Sequence, residues 1–109
     1  MRYLFSDKEL RKGTGDESGS YFKFIENKTL SSGIYVLLAG QVDPQQPHTE
    51  DELYYVVEGR SMFQVNGKLF EVSVGDVIYV PAHDPHRFYD ITEDLKLLVF
   101  FSRVEVDKG

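Results

Sequence analysis

Four side chains in this sequence have the types and spacing to hold a divalent metal ion: Gln46, His48, Glu52 and His86. Imidazole nitrogen, carboxylate oxygen and amide oxygen are all competent donors to such an ion. In extended backbone successive side chains point to opposite faces, so the even-numbered Gln46, His48 and Glu52 project together where no bulge intervenes. His86, far downstream, is available as a fourth donor. His83 is a further candidate, as an alternative ligand or as a proton donor or lid, although its odd number takes it off the shared face. Three or four protein ligands leave positions open for water or substrate, which Lewis-acid and oxygen chemistry require. Glu52, or His83 from its loop, is then the group that takes a proton from substrate. Glu50 and Asp51 read as solvated charges beside the site, and Glu58 as a surface residue.

The elements that must position these donors read as strands. Residues 21–26, 34–39, 53–58, 61–65, 68–72, 77–80, 86–90 and 95–101 are short runs rich in aromatic and β-branched residues, each bounded by turn signals. Asn66-Gly67 between two such runs predicts a tight hairpin, because both turn positions require positive φ. Gly59 and Pro81 end strands, and residues 92–94 read as a turn. Pro44 and Pro47 place the first ligands at a strand edge or in an irregular approach to one. Ser6 is a candidate N-cap for a helical turn over residues 7–12, and residues 13–20 form a polar loop. No long helical pattern competes, so an antiparallel sandwich or barrel is expected. Along its strands Glu52, Tyr54 and Val56 should share an inward face, as should His86, Phe88 and Asp90.

Composition narrows the function classes. The chain has 109 residues, enough for one core but not two. Its formal charge of −6 argues against nucleic acid or an anionic membrane as partner. With no cysteine, disulfides, thiolate zinc sites and cysteine nucleophiles are excluded. The first residues reach charge too early for a secretory signal, and no apolar run is long enough to span a bilayer, so a soluble cytoplasmic protein is expected.

The donor spacing carries a resemblance. Gly40-x5-Gln46-x-His48-x3-Glu52-x6-Gly59 matches the first motif of the cupin superfamily, Gly-x5-His-x-His-x3-Glu-x6-Gly, with Gln at the first His position. Gly75-x5-Pro81-x-His83-x2-His86-x3-Asp90 resembles the second motif, Gly-x5-Pro-x-Gly-x2-His-x3-Asn, with His83 for the glycine and Asp90 for the asparagine. The resemblance implies an all-β, antiparallel double-stranded β-helix, the jelly-roll cupin barrel. Residues 34–103 would form the barrel core, residues 1–33 an N-terminal arm and first strands packed on it, and residues 104–109 a tail. It also implies one divalent ion, Zn, Fe, Mn, Ni or Co, held by Gln46, His48, Glu52 and His86. Gln-x-His with Glu and His resembles, too, the zinc set of phosphomannose isomerases.

Tyr54, Phe63, Val65, Tyr79 and Phe88 are the candidate pocket walls, against the simpler reading that aromatics at period two in a barrel are core. Arg60, Lys68 and Arg87 are cations that an anionic substrate could meet. The functional expectation is a metal-dependent dioxygenase, isomerase or lyase acting on a small oxygen-bearing molecule. The alternative is a non-enzymatic module that binds or senses a small sugar or organic acid. Residues 95–101 are apolar on both faces, which predicts a homodimer, with residues 1–5 as an exchanged arm.

Overall fold

The computed structural model describes residues 2–14, 19–44 and 47–103. In chain order the elements are α1 (Asp7–Gly13), β1 (Tyr21–Glu26), β2 (Leu30–Leu37), β3 (Glu52–Val65), β4 (Lys68–Ser73), β5 (Val77–Val80) and β6 (His86–Ser102). The strands are antiparallel, in the order β1-β2-β6-β3-β4, with β5 on the free edge of the first part of β3. The all-β jelly-roll fold is what the motifs led one to expect.

β3 and β6 are each one long strand where the sequence predicted two. They pair along their whole length, from Glu52 opposite Phe101 to Val65 opposite His86. Three register irregularities interrupt the ladder between Val56 and Met62. Each bulge adds a residue without ending the strand, and it bends and twists the strand more strongly. Burial records the consequence. Glu52, Tyr54 and Val56 are buried, and then Ser61 and Phe63, so the inward parity changes from even to odd. β6 changes likewise, from His86 and Phe88 to Ile91, Leu95, Leu97 and Val99. Asp90 therefore does not share the inward face of His86 and Phe88 as expected: it lies at this change, exposed, with φ at +47°.

The bend folds the two halves of the sheet onto each other. Tyr54, from the first half of β3, packs edge-on against Phe63 at 6.0 Å and Phe88 at 5.1 Å, both from the other half. Gly59, at φ +98°, lies against β6 so closely that a Cβ there would collide with the Asp94 carbonyl. Only glycine fits that corner.

Local signals account for the remaining elements. Ser6 Oγ accepts the Glu9 N–H at 3.2 Å and caps α1. Asn66 and Gly67, at φ +50° and +79°, make the expected hairpin between β3 and β4. β2 starts before the expected residue 34, because Asn27 Oδ1 accepts from Thr29 N and Leu30 N (both 2.9 Å) and turns the chain early. The expected boundary at residue 34 thus falls inside a strand. No helix among the described residues is long and apolar enough to cross a membrane.

Candidate metal centre

Glu52 opens β3 and His86 opens β6. Antiparallel pairing sets these starts at opposite ends of the ladder, and the bend that folds its two halves together brings them face to face. His48 arrives from the irregular segment before β3. One ligand atom from each of His48, Glu52 and His86 lies within 4.8 Å of the others. Glu52 and His86 are buried and His48 half-buried. Gln46 lies outside the described residues.

The two buried donors show what the arrangement can do. His86 Nδ1 is 2.9 Å from the Asp84 carbonyl oxygen. A carbonyl can only accept, so Nδ1 carries the hydrogen and Nε2 is left as the lone-pair nitrogen of the neutral ring. Nε2 in turn lies 3.0 Å from Glu52 Oε1. That is close enough for an ion pair, yet the two are not aligned as a hydrogen bond, and both are buried without one. While the ring is neutral, a buried nitrogen lone pair and a buried carboxylate oxygen facing each other are costly in a dry site, a cost that a proton or a metal ion between them relieves. A cation between them would satisfy both, with a His48 ring nitrogen within reach as a third donor. The donor set fits a divalent ion such as zinc or iron, and its mixed nitrogen and oxygen character does not choose among the first-row metals.

Above the donors is a cavity of about 330 Å³, walled by Tyr21, Tyr35, Pro44, Val99 and Phe101 around His48 and Glu52. Its surface is chiefly hydrocarbon. The Phe101 ring meets His48 edge-on at 5.0 Å and Tyr35 meets Tyr21 at 6.4 Å. Burial, together with the negative charge of Glu52, pushes the Tyr21 phenol up to about 12, so it remains a neutral donor at ordinary pH. Tyr35 is raised as well, by burial and then by Asp43.

Burial disfavours charge on His86, but the Glu52 carboxylate, the Asp84 carbonyl and the charge of Asp43 together outweigh it, and its pKa is raised above the ordinary 6.5. The protonated ring is thus favoured by folding. In the metal-free protein its stabilisation is complete below the unfolded pKa and fades as pH rises through the raised folded value. A metal competes for the same lone pair, so its uptake weakens in the opposite direction, as pH falls. We expect the metal-free thermal midpoint to drop as pH rises from 6.5 while metal affinity increases. Calorimetry with and without ion across that range checks it, and parallel pH profiles for the two forms would count against it.

The other predicted residues are placed as follows. Tyr54, Phe63 and Phe88 are buried in the core beneath His86 and do not line the cavity beside His48 and Glu52. Val65 and the exposed Tyr79 border a separate cavity of about 550 Å³ between β4 and β5. His83 is exposed at φ +73°. Its backbone N–H donates to the His48 carbonyl at 2.7 Å, and its ring is not one of the converging donors. Arg60 pairs with Glu71 at 3.9 Å, and Arg87 donates to Gln64 at 3.2 Å, so both serve the outer surface. Lys68 borders the separate cavity. Glu58 pairs on the surface with Arg11 and Lys96.

Several residues that hold the site were not singled out from the sequence. Asp43 is buried, accepting from the Tyr35 hydroxyl at 2.8 Å and from Phe88 N at 2.9 Å. It fastens the segment leading to His48 across β2 and β6. Asp51 does more than carry a solvated charge: its carboxylate accepts from Ala82 N at 2.9 Å, and its backbone bonds Ser102. Tyr21 and Tyr35 face each other across the β1–β2 register, a pairing with no local sequence signal.

An antiparallel barrel with histidine and glutamate converging at one end defines a class of small barrel with a candidate metal site. The Cupin domain family matches residues 33–101, and the chain belongs to that family. The "Uncharacterized protein SCO3923" of Streptomyces coelicolor is 42% identical over 97 residues, covering 89% of this chain and 92% of that protein. An acireductone dioxygenase of Alcanivorax borkumensis is 51% identical over 45 residues, 38% of this chain and 25% of the enzyme. The chain therefore matches about a quarter of that enzyme's length. A solved RmlC-like cupin from Shewanella frigidimarina superposes with a TM-score of 0.74 at 21% identity, over 100% of this chain and 97% of that one, which shows a common fold.

Proposed function

We propose that this protein is a metal-dependent dioxygenase whose substrate is a small molecule presenting two neighbouring oxygens to an ion held by His48, Glu52 and His86. The observation that carries the reading is the pair of buried, unsatisfied donor atoms on Glu52 and His86, beside an apolar cavity that Glu52 and His48 line. The stretch similar to an acireductone dioxygenase supports the oxygen chemistry. A bound ion would supply Lewis acidity and a meeting point for substrate oxygens and dioxygen.

The chain's own residues do the rest. The Asp84 carbonyl fixes the tautomer of the neutral His86 ring, which would present the Nε2 lone pair to an ion. Val99 and Phe101 exclude water from the reacting end, and the neutral Tyr21 phenol donates a hydrogen bond at the mouth. Glu52 is the carboxylate within reach of a substrate proton, while the exposed His83 serves exchange with solvent. The sequence spacing supports Gln46, outside the described residues, as the proposed fourth ligand.

The test is anaerobic loading with Fe(II), Mn(II), Co(II), Ni(II) or Zn(II), followed by oxygen-electrode assays with small enediols. Oxygen consumption that needs the ion and vanishes in Glu52→Gln is expected. Turnover without oxygen uptake would indicate an isomerase or lyase instead, and ligand binding without turnover a sensor module.

We also propose that the protein pairs with a second copy through the outer face of the sheet. Leu53 and Tyr55 lie opposite Tyr79 and Val77 in register, and all four are exposed apolar residues. Turned about a two-fold axis along the strands, each aromatic of this patch meets an aliphatic residue of its twin, the self-complementarity an isologous dimer needs. α1 covers only the neighbouring part of that face, near Ile34 and Leu98. Sedimentation should give twice the chain mass, and Leu53→Glu with Tyr79→Glu should give a folded monomer. A monomeric wild type would end the idea.

A further inference from the structure

The metal cavity shares Tyr21, His48 and Phe101 with a second cavity of about 310 Å³ just outside it. The two differ in chemistry. The inner one has hydrocarbon walls around its donors, whereas the outer adds Lys23, Ser31, Glu50 and Arg103. Tyr21 stands between them. Its ring lies across Gly33, where any Cβ would collide with it, so glycine at that position sets where the partition stands.

The two cations of the outer cavity are held in place from behind. Lys23 Nζ and Arg103 NH1 each bind one oxygen of Glu26, at 3.2 and 2.9 Å, and Glu26 is not part of the wall. Among the described residues the Arg103 guanidinium is engaged through NH1 alone, which leaves further N–H groups of its fork for a carboxylate. Glu50 occupies the same cavity, its Oε1 accepting from the Thr49 hydroxyl at 3.1 Å. An anionic group is therefore steered to the Lys23–Arg103 side. Glu26 offsets one of the two positive charges, and the other makes this side of the mouth more attractive to anions than the rest of a chain of net charge −6.

We propose that the two cavities are one bipartite site, and that its ligand is a small acid with chelating oxygens at one end and a second carboxylate at the other. The chelating end lies by His48 and Glu52, an apolar middle passes Tyr21 and Phe101, and the terminal carboxylate meets Arg103 and Lys23. This rests on the metal reading for its inner half only.

The test compares 2-hydroxypentanedioate with 2-hydroxypentanoate, which differ by a terminal carboxylate against a methyl group, in calorimetric titrations of the Co(II)-loaded protein. The diacid should bind about tenfold tighter or better. Arg103→Gln, and separately Lys23→Gln, should remove most of that advantage while leaving the monoacid unchanged. Both side chains are well exposed, so the variants should fold, and unchanged thermal midpoints confirm it. Equal affinity for the two acids in the wild type, or an advantage that survives both substitutions, overturns the proposal. Failure to take up Co(II) would strike the metal reading alone. Pentanedioate against pentanoate on the metal-free protein then decides the outer half by the same ratio.

Discussion

His86→Ala is expected to abolish stoichiometric metal uptake and to lower the thermal midpoint of the metal-free protein by about 10–20 °C. The two effects have one cause. His86 supplies the lone pair that faces Glu52, and it is the nearest group that can carry positive charge beside that carboxylate. Without it Glu52 remains 2% exposed with no compensating charge, a loss of about 3 kcal/mol or more for a broken buried pair. Glu52→Gln separates the two consequences. The amide keeps the shape and can donate to a neutral His86 Nε2, but the ion pair with the protonated ring is gone. The metal-free midpoint should therefore fall by less than in His86→Ala, and by less still as pH rises. Metal affinity should nevertheless fall by a hundredfold or more, because the anionic donor is gone. Inductively coupled plasma analysis and thermal melts of the two variants read both quantities. Should both lose stability equally while retaining metal, the donors assigned here would be wrong.

Asp43→Ala should cost about 3 kcal/mol and weaken metal binding about tenfold without touching a ligand. Its carboxylate accepts from the Tyr35 hydroxyl and from Phe88 N. Deleting it leaves a buried hydroxyl and a buried backbone N–H without that acceptor. It also releases the segment that carries the chain toward His48. Tyr35→Phe is the control, since it gives up one of the two hydrogen bonds and keeps the anchor on Phe88, for a loss of about 1 kcal/mol. Urea unfolding and metal titration of both variants measure it. A tenfold weaker site in Tyr35→Phe as well would shift the role from Asp43 to the tyrosine pair.

Much of the fold was legible because its signals are local. The Asn66-Gly67 hairpin, the Ser6 cap and the strand at residues 21–26 each depend on a handful of neighbouring residues, and each stands where the sequence put it. The division of β3 and β6 into shorter strands was misread for a physical reason. Gly59 and the polar residues 92–94 look like strand ends when only neighbours are considered. In the fold they are bulges, kept extended because each long strand is paired on both sides of the bend. The same bulges made parity hold only locally, which is why Asp90 left the inward face that His86 and Phe88 share.

The spacing of His48, Glu52 and His86 determined, by itself, which donor types the chain owns and that two strand starts would carry two of them. Sequence could also state the fold class, since alternation and turn chemistry are written in adjacent residues. Only the tertiary structure decided what surrounds the donors. Tyr21, Tyr35 and Phe101, not the expected aromatics, wall the cavity, because strand register and not sequence distance decides which side chains face it. It also made Asp43 a buried anchor, since its two hydrogen-bond donors come from β2 and β6, 8 and 45 residues away. Long-range pairing of that kind leaves no trace in any short stretch of chain.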